Sequence, residues 1–158
     1  MNRLIAFLAL ATLGAAPALA PALAPAPAMA QEAPPAPQAV TANGQSIYIG
    51  RNTPEAMYGT YLYERQGQPT IELRPDGTGH FQPHGVPPIP IRFFVQTDGT
   101  GEPYIQRGQV DASYQHILVV QFGPGGGGNY PQGSFDRFNW IWDASTGCAI
   151  ILGERFKC

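Results

Sequence analysis

Helix-forming residues are scarce in the chain beyond residue 42. Residues 43–158 contain 4 Ala, 4 Leu, 1 Met and 1 Lys, against 10 Ile, 5 Val and 16 aromatic residues. This composition excludes a helical bundle and predicts an all-β domain, because β-branched and aromatic side chains favour strands. Basic residues are also few and do not cluster, and the chain carries a net charge of −2. Binding of nucleic acid through a basic surface is therefore excluded.

Motifs for catalysis are absent as well. The glycine-rich run over residues 123–133 lacks the Lys-Ser/Thr end of a phosphate loop, and no serine has the context of a nucleophile elbow. Glu64 and Glu72 could face each other as glycosidase carboxylates do, although surface pairing with Arg65 or Arg74 is the simpler interpretation. We therefore expect a protein that is not an enzyme and uses no cofactor.

The first 30 residues have the pattern of a secretory signal peptide. Arg3 supplies a positive charge, residues 4–13 form an apolar run, and Ala-Met-Ala at 28–30 is a small-x-small cleavage site. The run is shorter than the ~20 residues that span a bilayer, so we expect no membrane span after cleavage. The pattern predicts export from a bacterial cell, with a periplasmic or secreted location.

Two segments follow the signal peptide. Residues 31–45 are rich in Pro and Ala and show no periodicity, which predicts a flexible linker. Residues 46–158 are then a single all-β domain, which we expect to be monomeric.

Cys148 and Cys158 are the only cysteines. A straight strand would separate their Cα atoms by about 33 Å, whereas a disulfide needs them within roughly 7 Å. The chain must therefore reverse between them, and Gly153 is the residue suited to that turn. An even pair in an exported protein predicts a Cys148–Cys158 disulfide, since a redox pair would have Cys-x-x-Cys spacing.

Short apolar segments punctuated by Gly, Pro and Asp predict about eight antiparallel strands, in one β-barrel or sandwich. One helical turn precedes them, with Thr53 as its N-cap, Pro54 at its first position and Gly59 as its stop. Two copies of Asp-Gly-Thr-Gly, at 76–79 and 98–101, predict hairpin turns. A calcium loop would need alternating acidic ligands, which are missing. The strands are predicted at 60–65, 69–74, 79–83, 89–97, 103–112, 115–122, 135–143 and 148–152, with a short return strand at 154–157.

Residue parity assigns apolar faces to three of these strands. The residues that share one face are Phe138, Trp140 and Trp142; Leu118, Val120 and Phe122, with His116; and Ile91, Phe93 and Val95. The opposite faces are mixed. Most aromatic residues must fill the core, and those left over would line a cavity or form an exposed patch. The candidate ligand-binding residues are Tyr61, Tyr63, Phe93, Tyr130, Trp140 and Trp142.

Two segments carry a resemblance to a known family. Gly59-Thr60-Tyr61 after the helical turn resembles the Gly-x-Trp opening of lipocalin-like barrels, with Tyr in place of Trp. Leu-Arg-Pro-Asp-Gly-Thr-Gly at 73–79 resembles a hairpin of bacterial lipocalin-like exported domains. The resemblance covers residues 53–143 at the level of pattern only. It implies a closed barrel with one open mouth, which often holds an apolar ligand or a partner protein.

The remaining features have simpler interpretations. His80, His84 and His116 could be assembled into a zinc or copper site, but Pro83 interrupts the strand and we predict no metal. The 123–133 run is interpreted as a long hairpin connection, which could act as a lid that presents Tyr130. The proline-rich stretch at 83–90 is interpreted as an extended loop before an edge strand.

These observations lead to two functional hypotheses. The first is an exported, non-catalytic binding protein of the cell envelope that holds a small apolar ligand in the barrel mouth. The alternative is an envelope protein-interaction or inhibitor protein that uses exposed aromatic residues and the glycine-rich loop.

Overall fold

The computed structural model describes residues 36–107 and 113–158, and these form an all-β unit. Within these residues, a single 3-10 turn, Glu55–Met57, interrupts the strands. The predicted signal peptide and residues 108–112 of the predicted strand 103–112 lie outside the described residues. The strands are β1 Gln38–Ala42, β2 Gln45–Gly50, β3 Gly59–Tyr63, β4 Gly67–Leu73, β5 Thr78–Phe81, β6 Ile89–Thr97, β7 Ile105–Arg107, β8 Ser113–Phe122, β9 Phe135–Asp143, β10 Cys148–Ile151 and β11 Arg155–Lys157.

Eight of the strands form a closed ring. Antiparallel pairing runs from β6 through β5, β4, β3, β11, β10, β9 and β8, and the β6–β8 pairing returns to the start. β1 and β2 form a hairpin that joins β6 through β2, and β7 pairs with β8. The predicted all-β antiparallel fold is confirmed, and the ring is compatible with both a barrel and a sandwich.

The inner faces of the ring strands form the larger apolar cluster, which we call the interior cluster. The residues predicted to share a face on β6, β8 and β9 point to this cluster, including Phe93, Leu118 and Trp140. Burying a large apolar side chain stabilises a fold by about 1.5–3 kcal/mol. The apolar residues that alternate along these strands in the sequence therefore form a large part of the buried apolar surface.

A second apolar cluster lies on the other face of β6 and β8. Phe94, Ile117 and Val119 are buried there against Ile47 and Ile49 of β2. We call this the hairpin cluster, because the β1–β2 hairpin covers it. The faces that looked mixed in the sequence thus carry buried apolar residues of their own, so β6 and β8 have buried residues on both sides.

The prediction of a flexible linker over 31–45 is wrong for its second half. Residues 38–42 form β1, and Asn43 and Gly44 take positive φ angles of 49° and 76° in the turn to β2. Asn-Gly is a strong hairpin signal because both central residues of such a turn need positive φ. The alanine- and proline-rich surroundings obscured it, and the domain begins before residue 46.

The helical turn is present, but its predicted cap is wrong. Pro54, not Thr53, occupies the N-cap, because the Pro54 carbonyl accepts the first bond of the turn from the Met57 amide at 2.9 Å. The Thr53 hydroxyl instead lies 2.8 Å from the Tyr58 hydroxyl. Gly59 begins β3 with a φ of 130°, a conformation that residues other than glycine rarely adopt.

The predicted Asp-Gly turns are confirmed at both positions. In the β4–β5 turn, Asp76 Oδ1 accepts bonds from the Thr78 amide at 2.9 Å and its hydroxyl at 2.7 Å. Asp98 Oδ1 does the same with Thr100, at 2.8 and 2.6 Å. Asp143 with Ser145 forms a third such turn, between β9 and β10. Each aspartate thus holds its own turn closed.

The two cysteines lie at disulfide distance, as predicted. Their Cα atoms are 4.2 Å apart and the sulfur atoms are bonded. Gly153, with a φ of 72°, lies in the reversal between β10 and β11 that brings them together. Disulfides persist in oxidising compartments, so the bond is compatible with export. Within the described part of the chain, no helix is long and apolar enough to cross a membrane.

Candidate functional site

Four aromatic side chains line the inner face of β8 and β9 at one end of the ring. Tyr114 is paired directly with Trp142, and His116 with Trp140. Directly opposed residues of antiparallel strands share a face, so the two pairs form a ladder. Trp140 is fully buried, whereas Tyr114 and Trp142 are half-buried at the outer step. Ile105 of β7 pairs with His116 and is 54% exposed. We call the four side chains of Tyr114, His116, Trp140 and Trp142 the aromatic end.

His116 is the polar group of the aromatic end. Its side chain is 3% exposed, and its ring centroid lies 5.7 Å from the rings of both Tyr114 and Trp140. Burial lowers the pKa of His116, and a hydrogen bond to the Tyr104 backbone opposes that shift. The ring is therefore neutral at neutral pH, and its Nδ1 atom has no hydrogen-bond partner.

An unpaired buried polar atom is costly, by about 1–3 kcal/mol. Proteins usually satisfy such atoms, so the exceptions call for an explanation such as a water or a ligand. Neutral imidazole carries one donor and one acceptor nitrogen. The aromatic end can therefore offer a hydrogen bond to a polar group that lies between aromatic side chains.

Beneath the aromatic end, the polar groups are fully paired. Trp140 Nε1 donates to the Tyr61 hydroxyl at 2.6 Å, and that hydroxyl donates to the Met57 carbonyl at 2.8 Å. Burial raises the pKa of Tyr61, so its hydroxyl keeps its proton. The chain uses this pair to tie β9 to β3 and to the 3-10 turn. Tyr61 and Trp140 thus form a packed floor.

The other end of the ring is closed by the glycine-rich connection. Tyr130 packs its ring on Phe81 and Phe122, with centroids 5.4 and 5.1 Å apart. Gly126 permits this fold, because a Cβ atom there would collide with the Tyr130 carbonyl oxygen. Tyr130 therefore faces the interior cluster, whereas the sequence suggested that a lid would present it.

The other predicted ligand-binding residues do not meet at one point. Phe93 is 2% exposed in the interior cluster, where its ring contacts that of Tyr58 at 6.3 Å. Tyr63 is half-buried and packs edge-on against the exposed His84, at 4.9 Å. Of the six candidates, Trp140 and Trp142 are the two that belong to the aromatic end. Their binding role stays a prediction.

The three histidines have separate surroundings. His80 Nδ1 lies 3.2 Å from Glu72 beside Arg74, and His84 Nε2 lies 3.2 Å from Glu154. Among the described residues, no group of three His, Cys, Asp or Glu could hold a metal ion. Glu72 also pairs with Arg74 at 2.7 Å, as the surface interpretation of that carboxylate predicted.

A buried arginine escaped the sequence interpretation. Arg155 on β11 is 1% exposed, pairs with Glu154, donates to the Gln82 carbonyl at 3.0 Å and lies 5.9 Å from the centre of the Phe81 ring. Tyr114 was also missed, although it shares its parity with His116 and Leu118. That parity was the signal that could have found it.

Comparison of the chain with protein-family models, with curated proteins and with solved structures gave no significant match. The resemblance to lipocalin-like domains therefore stays a prediction, carried by the segments around Gly59 and Asp76.

Proposed function

We propose that this chain is an exported, non-catalytic binding protein of the bacterial cell envelope that holds a small, flat apolar ligand at the aromatic end. The observation that carries the proposal is the neutral, buried His116 with its unpaired Nδ1 atom between aromatic walls. A ligand that stacks on Tyr114 and Trp142 would contact His116 with its innermost edge, because His116 is the next residue on the same face of β8. An aromatic lining with one polar group that fixes orientation is typical of small-molecule sites.

The packing inside the ring favours a ligand-binding site at the end of the ring over one at its centre. Tyr61, Phe93 and Trp140 are at most 2% exposed, and all three belong to the interior cluster. A ligand at the centre would have to displace these side chains. The half-buried Tyr114 and Trp142 offer aromatic surface without that cost.

The test uses N-phenyl-1-naphthylamine, a flat apolar fluorescent probe with one N–H donor. We expect the mature protein to bind it, and Trp142→Ala and His116→Phe each to weaken binding by about tenfold, which corresponds to 1.4 kcal/mol. Tyr48→Ala is the matched control, because Tyr48 is an aromatic residue exposed on a different strand. Circular dichroism of each variant checks that it is folded.

Two outcomes would contradict the proposal. The first is that the wild-type protein does not bind the probe. The second is that Trp142→Ala and His116→Phe bind as well as the wild type does. Native mass spectrometry of protein purified gently from its own cells then identifies a natural ligand, as a reproducible added mass of small-molecule size.

One observation favours the alternative, a binding protein for an envelope protein with apolar side chains at its contact surface. Tyr48, Tyr104 and Ile105 are 45–54% exposed. They belong to neighbouring segments, since Tyr48 pairs with Thr97 and Thr97 bridges to Pro103. Loss of probe binding in Tyr48→Ala but not in Trp142→Ala would favour this alternative. Tyr130 contributes little to it, because its ring faces the interior cluster.

A further inference from the structure

Two arginines stand apart from the others. Arg51 and Arg92 are exposed, and neither side chain has a hydrogen bond or ion pair with any described residue. Every other arginine whose side chain the structure describes has a partner: Arg65 lies over the Phe156 ring, Arg74 pairs with Glu72, Arg137 donates to Gln45, and Arg155 pairs with Glu154. The two that remain line the same cleft.

The cleft results from the way two strands share one edge of β6. β2 pairs with β6 over residues 95–97, and β5 pairs with it over residues 89–92. The strands meet end to end, and the cleft opens between them at Phe93 and Phe94. Arg51 follows the last residue of β2, and Arg92 is opposite Thr78 of β5. The cleft has a volume of about 180 Å³.

Asp76 also lines this cleft, but its turn already accounts for it. Its Oδ1 atom accepts two bonds from Thr78, the arrangement that Asp98 and Asp143 repeat in turns elsewhere. These bonds from Thr78 lower the pKa of Asp76, so it is ionised at neutral pH. Two guanidinium groups against one carboxylate leave the cleft with an excess of one positive charge.

We propose that the Arg51–Arg92 cleft binds a compact oxyanion, a phosphate or carboxylate group. The guanidinium is a planar fork of donors that matches either group in a bidentate geometry. The volume is below the roughly 300 Å³ of sites for drug-sized ligands, so the cleft suits a small anionic group. Arg92 lies on the face of β6 opposite Ile91 and Phe93 of the interior cluster, and the proposal does not depend on a ligand at the aromatic end.

The oxyanion can be free in solution or carried by a larger molecule such as an anionic phospholipid. A titration of the ¹⁵N-labelled mature protein with inorganic phosphate, at constant ionic strength, tests the shared chemistry. Constant ionic strength matters because salt screens exposed charges within about 10 Å at 0.1 M. We expect amide shifts concentrated at residues 51–53, 76–78 and 92–94.

The variants Arg51→Gln and Arg92→Gln are each expected to weaken phosphate binding by about tenfold. Arg65→Gln is the matched control, because it removes the same charge from another exposed position and should leave binding unchanged. Shifts elsewhere, equal weakening in the control, or no phosphate binding by the wild type would overturn the proposal. The amide spectrum of each variant also reports its folding.

A second arm distinguishes the source of the anion. Vesicles of phosphatidylglycerol in phosphatidylcholine are sedimented with each protein. Co-sedimentation that both cleft variants lose and Arg65→Gln keeps would assign the cleft to a lipid phosphate. Phosphate binding without loss of co-sedimentation in the variants would assign it to a free oxyanion. Failure of either arm leaves the probe test at the aromatic end unaffected, so the two proposals fail separately.

Discussion

The interior cluster and the hairpin cluster lie on opposite faces of the same two strands, β6 and β8, but differ in what covers them. The interior cluster is enclosed by eight strands of the ring and contains the paired polar groups of Tyr61 and Trp140. The hairpin cluster is covered by one hairpin from the N-terminal end of the domain.

This difference bears on the search for binding surfaces. Phe94, Ile117 and Val119 are apolar residues on an outer face, the pattern that suggests an exposed patch in a sequence. The chain covers them with its own hairpin, so their apolar surface stabilises the fold. Aromatic surface remains accessible at the aromatic end and around Tyr48, and at other half-buried rings such as that of Tyr63.

The largest expected effect is at the interior cluster. Trp140→Ala should lower the free energy of unfolding by about 3–5 kcal/mol, because it leaves a large cavity and removes the donor that satisfies the Tyr61 hydroxyl. Trp142→Ala is the matched control on the same face of β9, and its half-buried ring predicts a smaller loss. Urea unfolding followed by circular dichroism measures both. Equal losses would show that the interior cluster is less tightly packed than described.

An intermediate effect is expected at the hairpin cluster. Ala42→Asp should lower the free energy of unfolding by about 3 kcal/mol, because it places a carboxylate at a fully buried position. Ala39→Asp, the same substitution on the exposed side of β1, should change it by less than about 0.5 kcal/mol. The urea midpoints of the two variants give the comparison. If both substitutions were silent, residues 38–42 would be a linker after all.

The smallest effect is expected at His116 and depends on pH. Burial lowers the pKa of His116 in the folded chain below its ordinary value of 6.5, so the unfolded chain takes up the proton first as pH falls. Stability should therefore decrease as pH drops below about 6.5, and level off below the folded pKa. In His116→Phe this decrease should be weaker, in urea titrations between pH 7.5 and 5.

The effect of His116 is separable from that of the turn carboxylates. Hydrogen bonds from Thr78, Thr100 and Ser145 lower the pKa values of Asp76, Asp98 and Asp143. Their contribution is present above the ordinary value of 3.8 and is lost only as pH falls below it. An unchanged pH dependence in His116→Phe between pH 7.5 and 5 would contradict the buried neutral imidazole.

Much of the fold could be predicted because its signals are local. Asp76 and Asp98 define their turns within four residues, and the alternation in β9 assigns Phe138 and Trp140 to the same face. The hairpin at Asn43-Gly44 has an equally local signal, but the Pro- and Ala-rich composition of residues 31–45 led to the prediction of a linker there. Arg155 could not be placed from sequence, because the burial of a charged residue depends on partners that are distant along the chain, such as Gln82.

The amino-acid sequence by itself determined the strand character, the turns, the reversal at Gly153 and which residues share a strand face, since these depend on φ preferences and on a period of two residues. Only the tertiary structure decided which apolar faces are covered and which polar groups lack partners. Those properties depend on strands that meet from remote parts of the chain. The same folding leaves the Nδ1 atom of His116 without a partner at the aromatic end, and places Arg51 and Arg92 in the lining of one cleft.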